Sequence, residues 1–340
     1  MIWWLLGALV ALLVVFALLA PLESLRWWSS QGAVQARRTL ALTSADAPGD
    51  AAASRELTVA GEQPDRYVVY LSGIGVVDGE GISMREQAVW HRVEHDLPRV
   101  RVIAGVFPYA ANDLSLLQRA TSGLWTWLNK RRRVRRESLA PYLINLRNVL
   151  QVLVSADPRY GPTFNAGLAL AIWDALRQHG YVPGSRVPVT LVGFSGGGQM
   201  AVGAASMLSL LGVPVSAVSI GGVFNADPGF DHLQHFWDIR GGRDRLRLLG
   251  PLVFPGRWPF TPSSPWHRAM KDGRVTIYDG GPVVHEGRNS YFEGRRVGSD
   301  GVMPADRLVG ILNAILGTPV PQAPLPPPCD RVPAQATTRP

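Results

Sequence analysis

Val187-Pro188-Val189-Thr190-Leu191-Val192 runs straight into Gly193-Phe194-Ser195-Gly196-Gly197, and Gly198-Gln199-Met200-Ala201-Val202-Gly203-Ala204-Ala205 follows. The first stretch is apolar and β-branched, which predicts a buried strand. The last is rich in small residues and predicts a helix. Between them a serine stands in the pattern G-x-S-x-G. A serine on a tight strand-to-helix turn is forced into an uncommon backbone conformation. Small neighbours let the strand and the helix approach closely, so the hydroxyl stands clear of the sheet. The following helix aims its first N–H groups at the same spot, where they stabilise a developing negative charge. In a chain with 36 glycines the pentapeptide alone is a weak signal. Its position between a strand and a helix gives it weight.

The same alternation continues outward in both directions. Upstream, residues 37–43 and 56–60 are candidate edge strands, and Arg66–Leu71 and 100–107 are further strands, with helical spacing over Met84–Asp96 between them. Residues 110–155 interrupt the rhythm. They are helical in parts (114–128 and 139–154) and read either as a lid-like insertion near the site or as a covering helix pair. A helix over 164–179 starts near Pro162 and stops at Gly180. Downstream come strands at Val215–Ile220, 235–240 and 274–278, then an amphipathic helix over 306–316. Strands alternating with helices predict a mostly parallel sheet covered on both faces. The chain divides into 1–30, a tether with candidate edge strands at 31–64, an α/β domain at 65–317, and a Pro-rich tail at 318–340 that is read as disordered.

The chain has 340 residues, 46% hydrophobic and 18% charged, which is the composition of a globular protein. The single cysteine, Cys329, excludes an intrachain disulfide and a cysteine-based zinc site. No metal cluster or dinucleotide fingerprint stands out, so no cofactor is inferred. The net charge of +8 is concentrated in part at Lys130-Arg131-Arg132-Arg133-Val134-Arg135-Arg136. That run is read as a solvated face or as a site for anionic lipid head groups. No nucleic-acid-binding signature accompanies it.

Residues Ile2 to Ala20 contain no charged residue. Their length, roughly 19 residues, lets a helix cross a hydrocarbon core of ~30 Å. Trp3-Trp4 and Trp27-Trp28 bracket the segment like two interfacial belts. A cleaved signal peptide is the rival reading. It lacks a basic n-region and an A-x-A site, and Ala20 is followed by Pro21. The expectation is an uncleaved single-pass anchor. Arg26, Arg37 and Arg38 follow it, so the positive-inside bias places the catalytic domain on the cytoplasmic side.

A serine hydroxyl is a weak nucleophile. It needs a base to take its proton and an acid to hold that base in the correct tautomer. Asp244, in Arg240-Gly241-Gly242-Arg243-Asp244, follows a strand and is the candidate acid. Asp238 is the second choice, because a mid-strand residue points into a face of the sheet. His285, in Gly280-Gly281-Pro282-Val283-Val284-His285-Glu286-Gly287, follows the last strand. Of the seven histidines it alone has both the order Ser, Asp, His and a loop at a strand's C-terminal end. Two backbone donors are needed for an oxyanion. The N–H of Gly196 is one. The other is expected from Ser72-Gly73-Ile74-Gly75, with Ile74 first and Gly75 as the alternative.

On these residues the sequence resembles the α/β-hydrolase superfamily, over roughly 66–316. The resemblance implies an eight-stranded, mostly parallel sheet with helices on both faces. It also implies hydrolysis of an ester, thioester or amide through an acyl-enzyme on Ser195. Ser72-Gly73 stands where the family's early loop usually has His-Gly, which leaves the second donor open. Two other readings keep the fold: an acyltransferase using the same acyl-enzyme, and a non-catalytic scaffold. The anchor, the basic run and the apolar, Pro-rich residues 248–260, which read equally as core and loop, raise the expectation of a small or lipid-like acyl substrate near a membrane.

Overall fold

The computed structural model describes residues 63–76, 82–110 and 140–319, together with Trp4, Gly7 and Ala11. Strand β1 (Arg66–Leu71) is followed by helix α1 (Met84–Asp96), β2 (Val100–Ile103), α2 (Ala140–Ala156), α3 (Gly161–Gln178) and β3 (Val189–Phe194). Then come α4 (Gly197–Leu210), β4 (Val215–Ile220), β5 (Phe236–Arg240), α5 (Leu249–Val253), α6 (Pro265–Lys271), β6 (Val275–Asp279) and α7 (Pro304–Leu316).

The sheet runs β2-β1-β3-β4-β5-β6, and every pairing is parallel. It has six strands among the described residues, where eight were expected. The two missing candidates, 37–43 and 56–60, lie outside the described residues, as do the uncharged N-terminal segment apart from three positions, the basic run and the tail beyond residue 319. No helix among the described residues is long and apolar enough to cross a membrane.

Side chains on a strand alternate between faces, and a sheet covered on both sides favours apolar residues on both faces of each strand. The central strands show this. Tyr67, Val69, Leu71, Val189, Leu191, Val215 and Ala217 face α2, α3, α4 and α6. Val68, Tyr70, Val192, Phe194, Val218, Ile220 and Ile239 face α1 and α7. The helices have local causes as well. Ser83 and Glu86 form a capping box that starts α1, with bonds of 3.3 and 2.7 Å. Gly180, at φ +88°, ends α3. The buried Arg66 guanidinium donates to the carbonyls of Ile315 and Thr318, tying the end of α7 to the start of β1.

The expected strand at 100–107 is shorter than predicted. Pairing with β1 stops at Val69↔Ile103. Beyond it the backbone turns away, through Gly105 and Pro108, and buries Phe107 and Tyr109.

The chain reverses its direction of travel across the sheet at β1. β2 lies on one side of it and β3 on the other. The loops after β1 and β3 therefore diverge at the carboxyl edge, where doubly wound sheets open a crevice. Ser72–Gly75 and Ser195 stand on those two loops.

Candidate active site

Ser195 is at φ +56°, and with Arg186 it is one of two non-glycine residues with positive φ among the described residues. Such a backbone costs of order 1–3 kcal/mol and must be held by its surroundings. Its N–H donates to Ile220 O at 3.1 Å, and its carbonyl accepts from Gly198 and Val223, each at 3.0 Å. The flanking glycines are steric requirements. A Cβ on Gly193 would lie 2.2 Å from Gly197 O, and one on Gly197 would lie 2.2 Å from Leu71 O. Both contacts are with backbone, which cannot move aside. Gly197→Ala is therefore expected to destabilise the fold by about 3 kcal/mol or more, read as a lowered Tm in thermal denaturation. An unchanged Tm would show that the turn is not this tight.

Asp244 follows β5, and His285 lies on the loop after β6. The structure brings both to Ser195. His285 Nε2 is 2.8 Å from Ser195 Oγ, and His285 Nδ1 is 2.9 Å from Asp244 Oδ2. An ionised carboxylate only accepts, so the ring proton sits on Nδ1 and leaves Nε2 to accept from the serine hydroxyl. The imidazole stacks on Phe194, with ring centroids 5.1 Å apart. All three side chains are buried. The loops that carry acid and imidazole are bonded to one another: Gly242 N–H donates to Gly281 O at 2.8 Å, and Arg243 N–H to Val283 O at 3.1 Å. Asp238, the second choice for the acid, lies inside β5 and pairs with Arg240 at 2.7 Å.

Asp244 is fully engaged. Its Oδ1 accepts from the N–H groups of Leu246 and Arg247 at 3.0 and 3.3 Å, and its Oδ2 accepts from His285 and from the Tyr291 hydroxyl at 2.8 Å. Burial pushes the carboxyl up, but the hydrogen bond and charge of His285, then Tyr291 and the Arg247 N–H, hold it below the ordinary range. Tyr291 in turn accepts from the Gly241 N–H at 2.8 Å. Burial and the neighbouring Asp244 charge raise its phenol, so it stays a donor.

Tyr291 and Gly221 were not singled out from sequence. Gly221 is at φ +53°, and a Cβ there would lie 2.6 Å from Asp244 Oδ2 and 2.7 Å from the Tyr291 hydroxyl. One glycine among 36 and one tyrosine in an irregular loop give no periodic signal.

Gly196 and Ile74 come together as well. A Cβ on Gly196 would lie 3.0 Å from Ile74 Cγ2 and 2.8 Å from Val152 Cγ2. No backbone acceptor among the described residues takes the Gly196 or Ile74 N–H. The loop holding Ile74 is fastened from α2. Asn148 Nδ2 donates to Ile74 O at 2.6 Å and to Val76 O at 2.9 Å. Arg147 donates to Asn148 Oδ1 and to Tyr109 O, and the Tyr109 hydroxyl donates to Ser72 O at 2.7 Å. So the described part of the stretch read as lid-like, from Ala140 on, begins with a helix packed against the elbow. Asn148, Gln151 and Ser155 are all buried on α2. Their spacing of three and four is a polar stripe turned inward, and it was the legible clue to this support.

No protein-family model matches the chain, and no curated protein matches it. Among solved structures it is similar to a dienelactone hydrolase-like promiscuous phosphotriesterase from metagenomic libraries, at 17% identity and a TM-score of 0.41, over 76% of this chain and 86% of that one. It is also similar to a structure named m3DLH, at 13% identity and a TM-score of 0.40, over 76% of this chain and 87% of that one. On its own strand order, with the elbow serine after β3 and the acid and imidazole after β5 and β6, the chain has the α/β-hydrolase fold.

Proposed function

We propose that the chain is a serine hydrolase that cleaves an ester, thioester or amide through an acyl-enzyme on Ser195. The observation that carries this reading is the unbroken relay from Ser195 Oγ through His285 to Asp244, at 2.8 and 2.9 Å. Ser195 Oγ attacks the substrate carbonyl carbon while His285 Nε2 takes its proton. Asp244 orients the imidazole and stabilises its cationic form. The N–H groups of Gly196 and Ile74 receive the oxyanion. Collapse expels the leaving group, which takes the proton from His285. Water, deprotonated by the same imidazole, then attacks the acyl carbon and frees Ser195.

The uncharged Ile2–Ala20 segment supports the further proposal that the enzyme is a single-pass membrane protein, with its catalytic domain on the cytoplasmic side and a lipid-like acyl substrate. The test is turnover of acyl esters of graded chain length by the full chain, with products analysed with and without an added alcohol acceptor. Hydrolysis that survives the acceptor supports the hydrolase. Acyl transfer to the acceptor in place of hydrolysis would assign a transferase, and no turnover of any ester, thioester or amide, together with no labelling by a fluorophosphonate, would remove the enzymatic reading.

Support of the oxyanion loop by α2 yields a separate expectation. Asn148→Ala leaves the Ile74 and Val76 carbonyls without their donor and loosens the loop. We expect kcat to fall about 10- to 100-fold with KM nearly unchanged, because the misplaced N–H matters chiefly in the transition state. Steady-state kinetics decide it, and an unaltered kcat would take Ile74 out of the oxyanion site.

A further inference from the structure

We propose that the stretch from Arg245 to Phe260 is a docking surface for the anionic face of a lipid bilayer, built on the rim of the active site. The inference deepens the membrane-associated reading above and rests on it, and its activity arm alone rests also on the hydrolase reading.

The rim starts at the acid itself. Asp244 Oδ1 accepts the N–H groups of Leu246 and Arg247, so the segment is tethered to the relay at its first turn. The chain then folds as a 3₁₀ turn at Leu246–Leu248, the short helix α5, and a second 3₁₀ turn at Pro255–Arg257. Gly250 and Phe254 point inward. Leu246, Leu248, Leu249, Leu252, Val253 and Phe260 point outward, with Leu252 70% and Phe260 73% exposed. Six exposed large apolar side chains within one short segment are the mark of an interaction site.

Charge names the occupant. From Arg245 through Lys271 there is no aspartate or glutamate. Arg243 and Arg245 flank the acid, are exposed, and have no carboxylate within ion-pair distance among the described residues. Apolar side chains edged by cations fit an interface of acyl chains beneath anionic head groups. An uncharged, Trp-bracketed segment lies at Ile2–Ala20 of the same chain. At about 3.4 Å per extended residue, the chain between Ala20 and Gln63 is long enough to lay this face on the bilayer that holds that segment.

The test uses the full chain with Cys329→Ser and Leu252→Cys, labelled at position 252 with an environment-sensitive fluorophore. It is reconstituted in vesicles of phosphatidylcholine alone or mixed with phosphatidylserine. Nitroxides on the lipid acyl chains should quench the label about twofold or more in the mixed vesicles and less in phosphatidylcholine. Adding Arg243→Glu and Arg245→Glu should remove that difference. Equal quenching in both vesicles would overturn the anionic assignment. A label open to aqueous iodide in both would overturn docking. A label already shielded from iodide in detergent would show that protein, from this chain or a second copy, covers the face, and would also overturn the proposal.

In the activity arm, Leu252→Asp with Phe260→Asp should lower turnover of a bilayer-embedded acyl ester about tenfold while leaving a water-soluble short-chain ester within about twofold. Equal loss on both esters contradicts docking. Absence of turnover of either ester by the unaltered chain would count against the hydrolase reading, and the fluorescence result would still decide the surface.

Discussion

Replacing Ser195 with alanine is expected to lower kcat for acyl-ester hydrolysis about 10⁶-fold, with the fold intact. The size follows from the relay. His285 Nε2 lies 2.8 Å from the serine oxygen and makes no other hydrogen bond among the described residues. Without that oxygen no acyl-enzyme forms, and His285 and Asp244 are left with nothing to activate. The Gly196 and Ile74 donors remain, so a residual rate above the uncatalysed one is expected. Ser195 is held at φ +56°, a region in which alanine is no better suited than serine. Stability should change little, and thermal denaturation separates lost chemistry from lost structure. A variant that retains even a hundredth of the activity would show that another group attacks the substrate.

Asp244→Asn is expected to lower kcat about 10⁴-fold while KM moves little. The carboxylate accepts at all four of its contacts. An amide keeps one oxygen and replaces the other by a donor. If the NH₂ faces His285, it meets the Nδ1 proton, and the ring adopts the other tautomer. Nε2 then carries a hydrogen toward Ser195 and cannot take another. The same substitution has a sign in pH. The folded Asp244 carboxyl lies below its ordinary value, which is about 3.9 in an unfolded chain. It therefore contributes stability above that pH, and the contribution is lost as pH falls through its folded value. Urea unfolding should show the difference between the two proteins shrinking as the pH drops below about 4. A difference that grows on acidification would contradict the reading of Asp244 as a stabilised carboxylate.

Much of this site was legible because its parts are local. Ser195 lies between a β-branched run and a small-residue run, and both became the elements they predict. Asp244 and His285 each follow a strand, and in an all-parallel sheet every such loop opens on one edge. Three of the six strands were readable from burial as well. Buried parallel strands are continuous apolar runs, and β1, β3 and β4 are buried at every residue. Tertiary contacts were not legible in the same way. Tyr291 reaches Asp244 across 47 residues, and Asn148 reaches Ile74 across 74. Tyr291 leaves no pattern in its own neighbourhood, and the inward polar stripe of Asn148, Gln151 and Ser155 marks a support without naming the loop it holds. The apolar residues 248–260 were ambiguous in sequence because a core segment and an exposed rim have the same composition. Only burial separates them, and it shows Leu252, Val253 and Phe260 exposed.

The claim beneath all of this is that Ser195 is a nucleophile activated by His285. Intact-protein mass spectrometry after exposure of the full chain to a fluorophosphonate tests it most directly, with peptide mapping of the adduct. The account predicts a single phosphonyl adduct on Ser195, absent from Ser195→Ala and strongly slowed in His285→Ala. An unmodified protein, or an adduct that forms equally well in Ser195→Ala, would contradict it.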